Sequence, residues 1–274
     1  MNKLTLQKRA QIIGMLVEGN SLRAITRMVD CSINTVTKLL VDVGTACSQY
    51  QFEHLRDLPC KRIQADEIWN FCYCKEKNVP EDHKGEFGIG DVYTWIGMCA
   101  DTKLVPSFMV GKRDAEYGNA FMLDLASRLK NRVQLTTDGH RVYLNAVENA
   151  FSHEIDYAML VKVYGKATQE DERRYSPVEC TGAEIHPITG NPDEKHVSTS
   201  YIERQNLTMR MSMRRFTHLT NGFSKKIEKL EHSVALHFMY YNFARIHKIL
   251  RVTPAMEAGV SDHVWTLEEI AGLI

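Results

Sequence analysis

No run of this 274-residue chain approaches the roughly 18 consecutive apolar residues that a membrane-spanning helix needs. The N-terminus, Met1-Asn2-Lys3-Leu4-Thr5, turns polar at once and holds no signal-peptide core. A cytoplasmic protein is expected. Cysteine is sparse and odd in number, with seven residues at 31, 47, 60, 72, 74, 99 and 180. That spread argues against a secreted disulfide framework. Cys60, Cys72 and Cys74 raise zinc, but Cys72-x-Cys74 has the wrong spacing for a knuckle and no second pair exists. Buried thiols along a strand are the better account. There is also no net charge, 34 Lys and Arg standing against 34 Asp and Glu, which argues against a protein that coats nucleic acid non-specifically.

What is present is an ordinary globular mixture, 44% hydrophobic and 25% charged, long enough for one large core and a small extra module. The charges are not evenly spread. Residues 1–50 carry six bases against three acids, and residues 201–251 carry ten bases against three acids. The acidic excess falls between them. Basic ends around an acidic centre fit two DNA-contacting surfaces flanking a metal-binding site. Solvated helix faces remain the ordinary alternative for any single Lys or Arg.

Residues 4–46 read as three short helices. The first spans about Leu6–Glu18 and is stopped by Gly19-Asn20. Ser21 caps the second, Leu22–Val29. Asp30-Cys31-Ser32 makes a turn, and Ser32 caps the third, Ile33–Val43. A short helix, a three-residue turn and a capped helix is helix-turn-helix spacing. The third helix offers Asn34, Thr35, Thr37 and Lys38, types able to meet base edges or phosphates. A generic three-helix packing module is the alternative. After a linker at 51–61, in a stretch (47–61) that a helix could also occupy, strand-like runs occupy Arg62–Cys74, Asp91–Cys99, Lys103–Val110, Val133–Thr137 and Ile155–Tyr164. Helical periodicity occupies Asp114–Lys130, Arg141–Phe151, Thr199–Met213 and Lys225–Ile249, with a short final helix capped by Thr253-Pro254. Positions 168–198 read as one long irregular loop, unusual enough in length to suggest function or disorder.

Three strands, then helix, strand, helix, strand, helix is the order of an RNase H-like fold. The expected fold class is therefore α/β, a mixed five-stranded sheet flanked by helices and preceded by a small all-α helix-turn-helix domain. The expected division is 1–50 for that domain, 62–250 for the RNase H-like domain and 251–274 for a helical tail.

Three carboxylates stand out against this frame: Asp66 in Gln64-Ala65-Asp66-Glu67-Ile68-Trp69, Asp138 in Thr136-Thr137-Asp138-Gly139-His140, and Glu203 in Tyr201-Ile202-Glu203-Arg204-Gln205-Asn206. Asp66 lies in the first strand. Asp138 ends the fourth, which neighbours the first in this topology. Glu203 opens a helix expected to pack over the sheet. Carboxylates so placed can hold two Mg²⁺ ions, hard cations that prefer oxygen, and such ions clamp the attacking and leaving oxygens of a phosphodiester. Like charges this close raise one another's pKa unless a cation is present. Each residue alone has an ordinary use: Asp-Gly is a common turn, and a Glu in a first helical turn complements the macrodipole. Glu67 rivals Asp66, and regular alternation would let only one of them face the site. Downstream of Glu203 lie Arg204, Arg210, Arg214 and Arg215, and further on Arg245 and Lys248 sit among aromatics. These are the candidate contacts to DNA phosphates.

In Ala65-Asp66-Glu67-Ile68-Trp69-Asn70-Phe71, Thr137-Asp138-Gly139 and Tyr201–Asn206 with Arg210 beyond, the chain resembles bacterial DDE transposases of the insertion sequence 1 family. The stretch Arg214–Lys226 and the tail from Tyr241-Asn242-Phe243 to Thr253-Pro254-Ala255 carry the same resemblance, which covers nearly the whole chain. It implies a catalytic domain with Asp66, Asp138 and Glu203 as catalytic metal ligands, and two Mg²⁺ ions with Mn²⁺ able to substitute. It also implies DNA partners, namely element ends and target, handled by a homodimer or larger synaptic assembly associated with the nucleoid. Many members begin with a zinc ribbon, and no paired-Cys ribbon occurs here. The expected activity is metal-dependent DNA cleavage at element ends followed by strand transfer. The alternatives are a structure-specific nuclease on the same fold and a non-catalytic DNA-binding regulator.

Overall fold

A computed structural model describes residues 4–165, 180–218 and 221–274. Three helices come first: α1 (Leu6–Val17), α2 (Leu22–Val29) and α3 (Ile33–His54). Thr5, Ser21 and Ser32 each accept a backbone N–H in the first turn that follows them, so each start is side-chain capped. Asp30 takes the left-handed conformation, φ 50°, to close α2. Ile12, Ile25, Val29, Val36 and Leu39 form a small core between the three helices.

α3 is twice the expected length. It runs through 51–54, expected as the start of a linker, and packs along α7 (Ile227–Met239). Gly44 makes that approach possible: a Cβ there would lie 2.7 Å from both the Cα and the carbonyl oxygen of His232. The packing of α3 on α7 explains why the helix does not stop. An isolated linker helix is marginal, whereas one burying a face is not.

The sheet is built from β1 (Arg62–Cys72), β2 (Gly90–Cys99), β3 (Ser107–Gly111), β4 (Val133–Thr137), β5 (Ile155–Tyr164) and β6 (Cys180–Thr189), in the order β3-β2-β1-β4-β5-β6. β1, β2 and β3 pair antiparallel, β4 and β5 join parallel beside β1, and β6 returns antiparallel on β5. Helices cover both faces. α4 (Ala115–Ala126) and α5 (Val142–Phe151) pack over Trp95, Leu135 and Tyr157. α6 (Ser200–Ser212) and α7 pack over Ile68, Val92 and Ile96. This is the RNase H-like arrangement that the element order implied. Among the described residues no helix is long and apolar enough to cross a membrane.

The differences from expectation have local causes. β6 lies inside the expected loop at 168–198, of which 168–179 fall outside the described residues. It is an edge strand with nearly every residue exposed, so it carries no apolar alternation, and it admits Pro187, which only an edge tolerates. The apolar run from Lys103 was expected as strand but pairs only from Ser107. Val105 instead exchanges both backbone hydrogen bonds with the Asn242 side chain, at 3.0 and 2.9 Å. The helix expected to continue to Ile249 ends at Met239 and passes into a π-helical turn, Tyr240–Ala244, which buries Tyr241, Asn242 and Phe243 together. The expected helical tail is two helices: after α8 (Pro254–Glu257) comes α9 (Leu267–Gly272), started by a Thr266/Glu269 capping box. It docks on α1, where Arg9 Nη1 donates to the carbonyls of Ala271 and Ile274 at 3.1 and 2.6 Å.

Candidate metal centre

Strand register puts two acids side by side. Ala65 of β1 lies opposite Thr137 of β4 in parallel pairing, so the next residues, Asp66 and Asp138, emerge on neighbouring strands at the same level. Glu67 points towards α5, as alternation requires. Its side chain is 1% exposed. Arg113 Nε donates to its Oε1 at 2.5 Å, and the Tyr143 hydroxyl donates to its Oε2 at 2.7 Å. Even so, one ligand oxygen from each of Asp66, Glu67 and Asp138 lies within 4.8 Å of the others. Arg113 reaches past Glu67, its Nη2 standing 4.0 Å from Asp138 Oδ2. Asp138 Oδ1 accepts the His140 backbone N–H at 3.0 Å, which sets the turn after β4.

α6 is held over this cluster by β1 itself. Thr199 provides no side-chain cap for α6. Gln64 supplies it instead: its Oε1 accepts the backbone N–H groups of Tyr201 and Ile202 at 2.9 and 3.0 Å. Two residues along the same strand face, Asp66 Oδ2 accepts from Asn206 Nδ2 at 2.8 Å. Asn206 is three residues past Glu203 and so shares its side of the helix. Glu203 is engaged otherwise, Oε2 by Lys162 Nζ at 2.6 Å and Oε1 by the Thr199 hydroxyl at 2.5 Å. It stands outside the group formed by Asp66, Glu67 and Asp138 but close enough to act on Asp66 electrostatically.

Burial pushes the Asp66 carboxyl from 3.8 up to about 7, and the charges of Glu67 and Asp138 add to the rise. Glu203 contributes less, and the Glu67 backbone N–H opposes. A carboxylate made this unfavourable by burial and by its neighbours is one whose charge a cation would relieve. Gln64→Ala is expected to free the start of α6 and weaken divalent-cation affinity by about tenfold, the usual scale for losing a group that orients ligands. Calorimetric Mg²⁺ titration measures it, and unchanged affinity would show that α6 keeps its place without Gln64.

Asp66 and Asp138, then, are brought together, with Glu203 nearby on α6. Glu67, expected as a rival to Asp66, joins the cluster from the other side of the strand. Gln64 and Asn206 were legible from spacing, as residues on the same strand and helix faces as Asp66 and Glu203. Arg113, Tyr143 and Lys162 had no such signal, because each arrives from a distant segment.

The candidate DNA contacts separate into groups. Asn34 and Lys38 are exposed at the start of α3, Lys38 paired with Asp42 at 2.5 Å. Thr35 shares a hydrogen bond with the Ser32 hydroxyl at 2.8 Å, and Thr37 is half-buried. Arg204, Arg210, Arg214, Arg245 and Lys248 are exposed. Arg215 differs, being turned inward with Nη1 donating to the Ser224 hydroxyl at 2.8 Å. Burial lowers its guanidinium to about 10.

No protein-family model and no curated protein matches the chain. Among solved structures, a piggyBac transposase synaptic complex with hairpin DNA aligns over 98% of this chain and 69% of its own, at 9% identity and TM-score 0.46. A Mos1 transposase paired-end complex with the left transposon end aligns over 54% and 58%, at 11% identity and TM-score 0.22. A Mos1 strand transfer complex aligns over 87% and 76%, at 10% identity and TM-score 0.25. Likenesses this slight carry no argument, and the fold rests on strand order and register.

Proposed function

We propose that this protein is a DDE transposase of the insertion sequence 1 type, which cuts DNA at element ends and joins the freed 3′-hydroxyls to target DNA. The observation that carries this is the meeting of Asp66 and Asp138 on adjacent parallel strands, beneath the helix that bears Glu203. The donor set is all carboxylate oxygen, which suits Mg²⁺ or Mn²⁺ and not zinc. Asp66 and Asp138 would hold the ions, with Glu203 completing the set from α6. When bound, two such ions polarise the phosphodiester and activate the attacking oxygen.

The chain's own residues have distinct parts. Asn206 and the Glu67 N–H orient the two oxygens of Asp66. Arg113 and Tyr143 fix Glu67 and so keep a third negative charge at the edge of the cluster. Lys162 holds Glu203 in place, and Glu203 would have to leave it to serve as a ligand. Asn34, Thr35, Thr37 and Lys38 contact the element end through the turn-and-helix unit at residues 1–50, ahead of the catalytic region. Arg204, Arg210, Arg214, Arg245 and Lys248 line the DNA path. Arg215 serves the segment after α6. Two ends must be brought together, so a homodimer or larger assembly acts on DNA in the cytoplasm.

Strand transfer tests this. Purified protein, labelled DNA carrying its flanking end sequences, supercoiled target and Mg²⁺ should yield joined products. Cleavage without joining would favour a structure-specific nuclease, and binding with neither would leave a regulator. Separately, Thr35→Ala combined with Lys38→Ala should weaken end binding about tenfold or more, while a pre-nicked substrate is still processed. A wild-type binding curve from that double variant would remove α3 from end recognition.

A further inference from the structure

Arg113 stands between β3 and α4, and the chain is fixed on both sides of it. The Trp95 indole N–H donates to the Lys112 carbonyl at 3.0 Å, and Asp114 caps α4 by accepting the Tyr117 backbone N–H at 3.0 Å. The guanidinium carbon then lies 5.6 Å from the centroid of the Tyr93 ring. A cation positioned in this way has less freedom to lose when it meets an anion.

Its pairing with Glu67 differs from the other arginine–carboxylate pairs among the described residues. Arg62 on Asp101, Arg128 on Asp124 and Arg132 on Asp156 each donate from Nε and Nη2 together. Two nitrogens acting together are the favourable geometry for holding a carboxylate. Arg113 gives Glu67 only Nε, and the second Glu67 oxygen is taken by the Tyr143 hydroxyl. Nη2 stands 4.0 Å from Asp138 Oδ2, too far for a hydrogen bond. A guanidinium has five N–H donors. The four on Nη1 and Nη2 make no hydrogen bond among the described residues. The side chain is 40% exposed, and neither terminal nitrogen is buried without a partner. Neutralising Glu67 thus uses one donor and leaves four at the edge of the acid cluster.

We propose that Arg113 contacts the substrate itself, its terminal nitrogens donating to a non-bridging oxygen of the phosphodiester to be cut. This rests on the DNA-cleaving function proposed above and adds a catalytic residue to it. A fixed guanidinium there meets the negative charge that gathers on the phosphate oxygens during displacement. Glu67 and Tyr93 hold it ready, which gives the buried Glu67 a use beyond its own charge.

The test uses the full chain and two readouts. For binding, end DNA carries either the normal phosphate at the cleavage position or an uncharged methylphosphonate, and affinities are measured in Ca²⁺, a cation that prefers oxygen ligands. Wild type should prefer the phosphate, and Arg113→Ala should reduce that preference about tenfold. An unchanged preference would overturn the contact. The same comparison in a Glu67→Gln background separates the two roles of Arg113, and it avoids leaving a buried charge unpaired. Arg113→Ala should reduce the preference there by the same factor. No further reduction in that background would make Arg113 only the counter-charge of Glu67. For catalysis, single-turnover Mg²⁺-dependent cleavage should fall about a hundredfold in Arg113→Ala. Arg113→Lys should lose about tenfold, because one ammonium cannot serve Glu67 and a phosphate as a planar fork does. Cleavage in wild type with an unchanged phosphate preference in the variants would overturn the contact alone. A preference that depends on Arg113, without any cleavage, would overturn the catalytic function and leave the phosphate contact standing.

Discussion

Asp66→Asn is expected to lower Mg²⁺-dependent strand cleavage by about a thousandfold or more while leaving DNA-end binding within a few-fold, and Asp138→Asn should do the same. The same substitutions should make the metal-free protein more stable. The Asp66 carboxyl titrates near 3.8 when unfolded but at about 7 in the fold. Below pH 4 it is protonated in both states, and the acid cluster costs nothing through it. Between pH 4 and 7 the unfolded chain ionises first, so stability falls as pH rises. Above pH 7 the full penalty is present. Asn carries no charge and escapes it, so at pH 8 Asp66→Asn should unfold at a higher temperature than wild type. The full shift would correspond to about 4 kcal/mol; allowing for coupling and solvent, about 1–2 kcal/mol is expected. Mg²⁺ should reverse the order by stabilising only the wild type. Thermal melts of both proteins at pH 5 and pH 8, with and without Mg²⁺, check every sign. A variant less stable than wild type at pH 8 without metal would mean that Asp66 has a structural role, not a ligand's.

Gly44→Ala should be strongly damaging although it lies outside the site. The new methyl would lie 2.7 Å from the Cα and carbonyl oxygen of His232. These are backbone atoms within α7, so no rotamer change relieves the clash. α3 would have to move away from α7, opening the contact that joins the N-terminal helices to the sheet. Overpacking of this kind costs about 3 kcal/mol, which in a chain this size lowers the melting midpoint by about 6–12 °C. End binding should weaken too, because α3 carries Asn34 and Lys38 at its start. A midpoint within a degree or two of wild type would mean that the α3–α7 interface yields at little cost.

The glycine also marks where sequence reasoning stopped short. Caps at Ser21 and Ser32 set the starts of α2 and α3, since a capping hydroxyl acts over three residues. The five strands and most helices followed from apolar period, because each buries one face. Their order alone implied the sheet. Asp66, Asp138 and Glu203 could be chosen because that order predicts which strand ends are neighbours.

The extent of α3 could not be read in the same way. It depends on α7, about 180 residues away, offering a face with room at Gly44. β6 left no pattern, because an edge strand exposed on both faces needs no apolar residues. Three partners of the acids were equally hidden. Arg113 and Tyr143 on Glu67 and Lys162 on Glu203 bridge segments far apart in the chain. Local chemistry therefore determined the elements and the choice of acids, because caps, turns and periodicity are short-range. The tertiary structure decided the electrostatic state of Asp66, because its burial and its charged neighbours exist only once β1, β4 and α6 have come together.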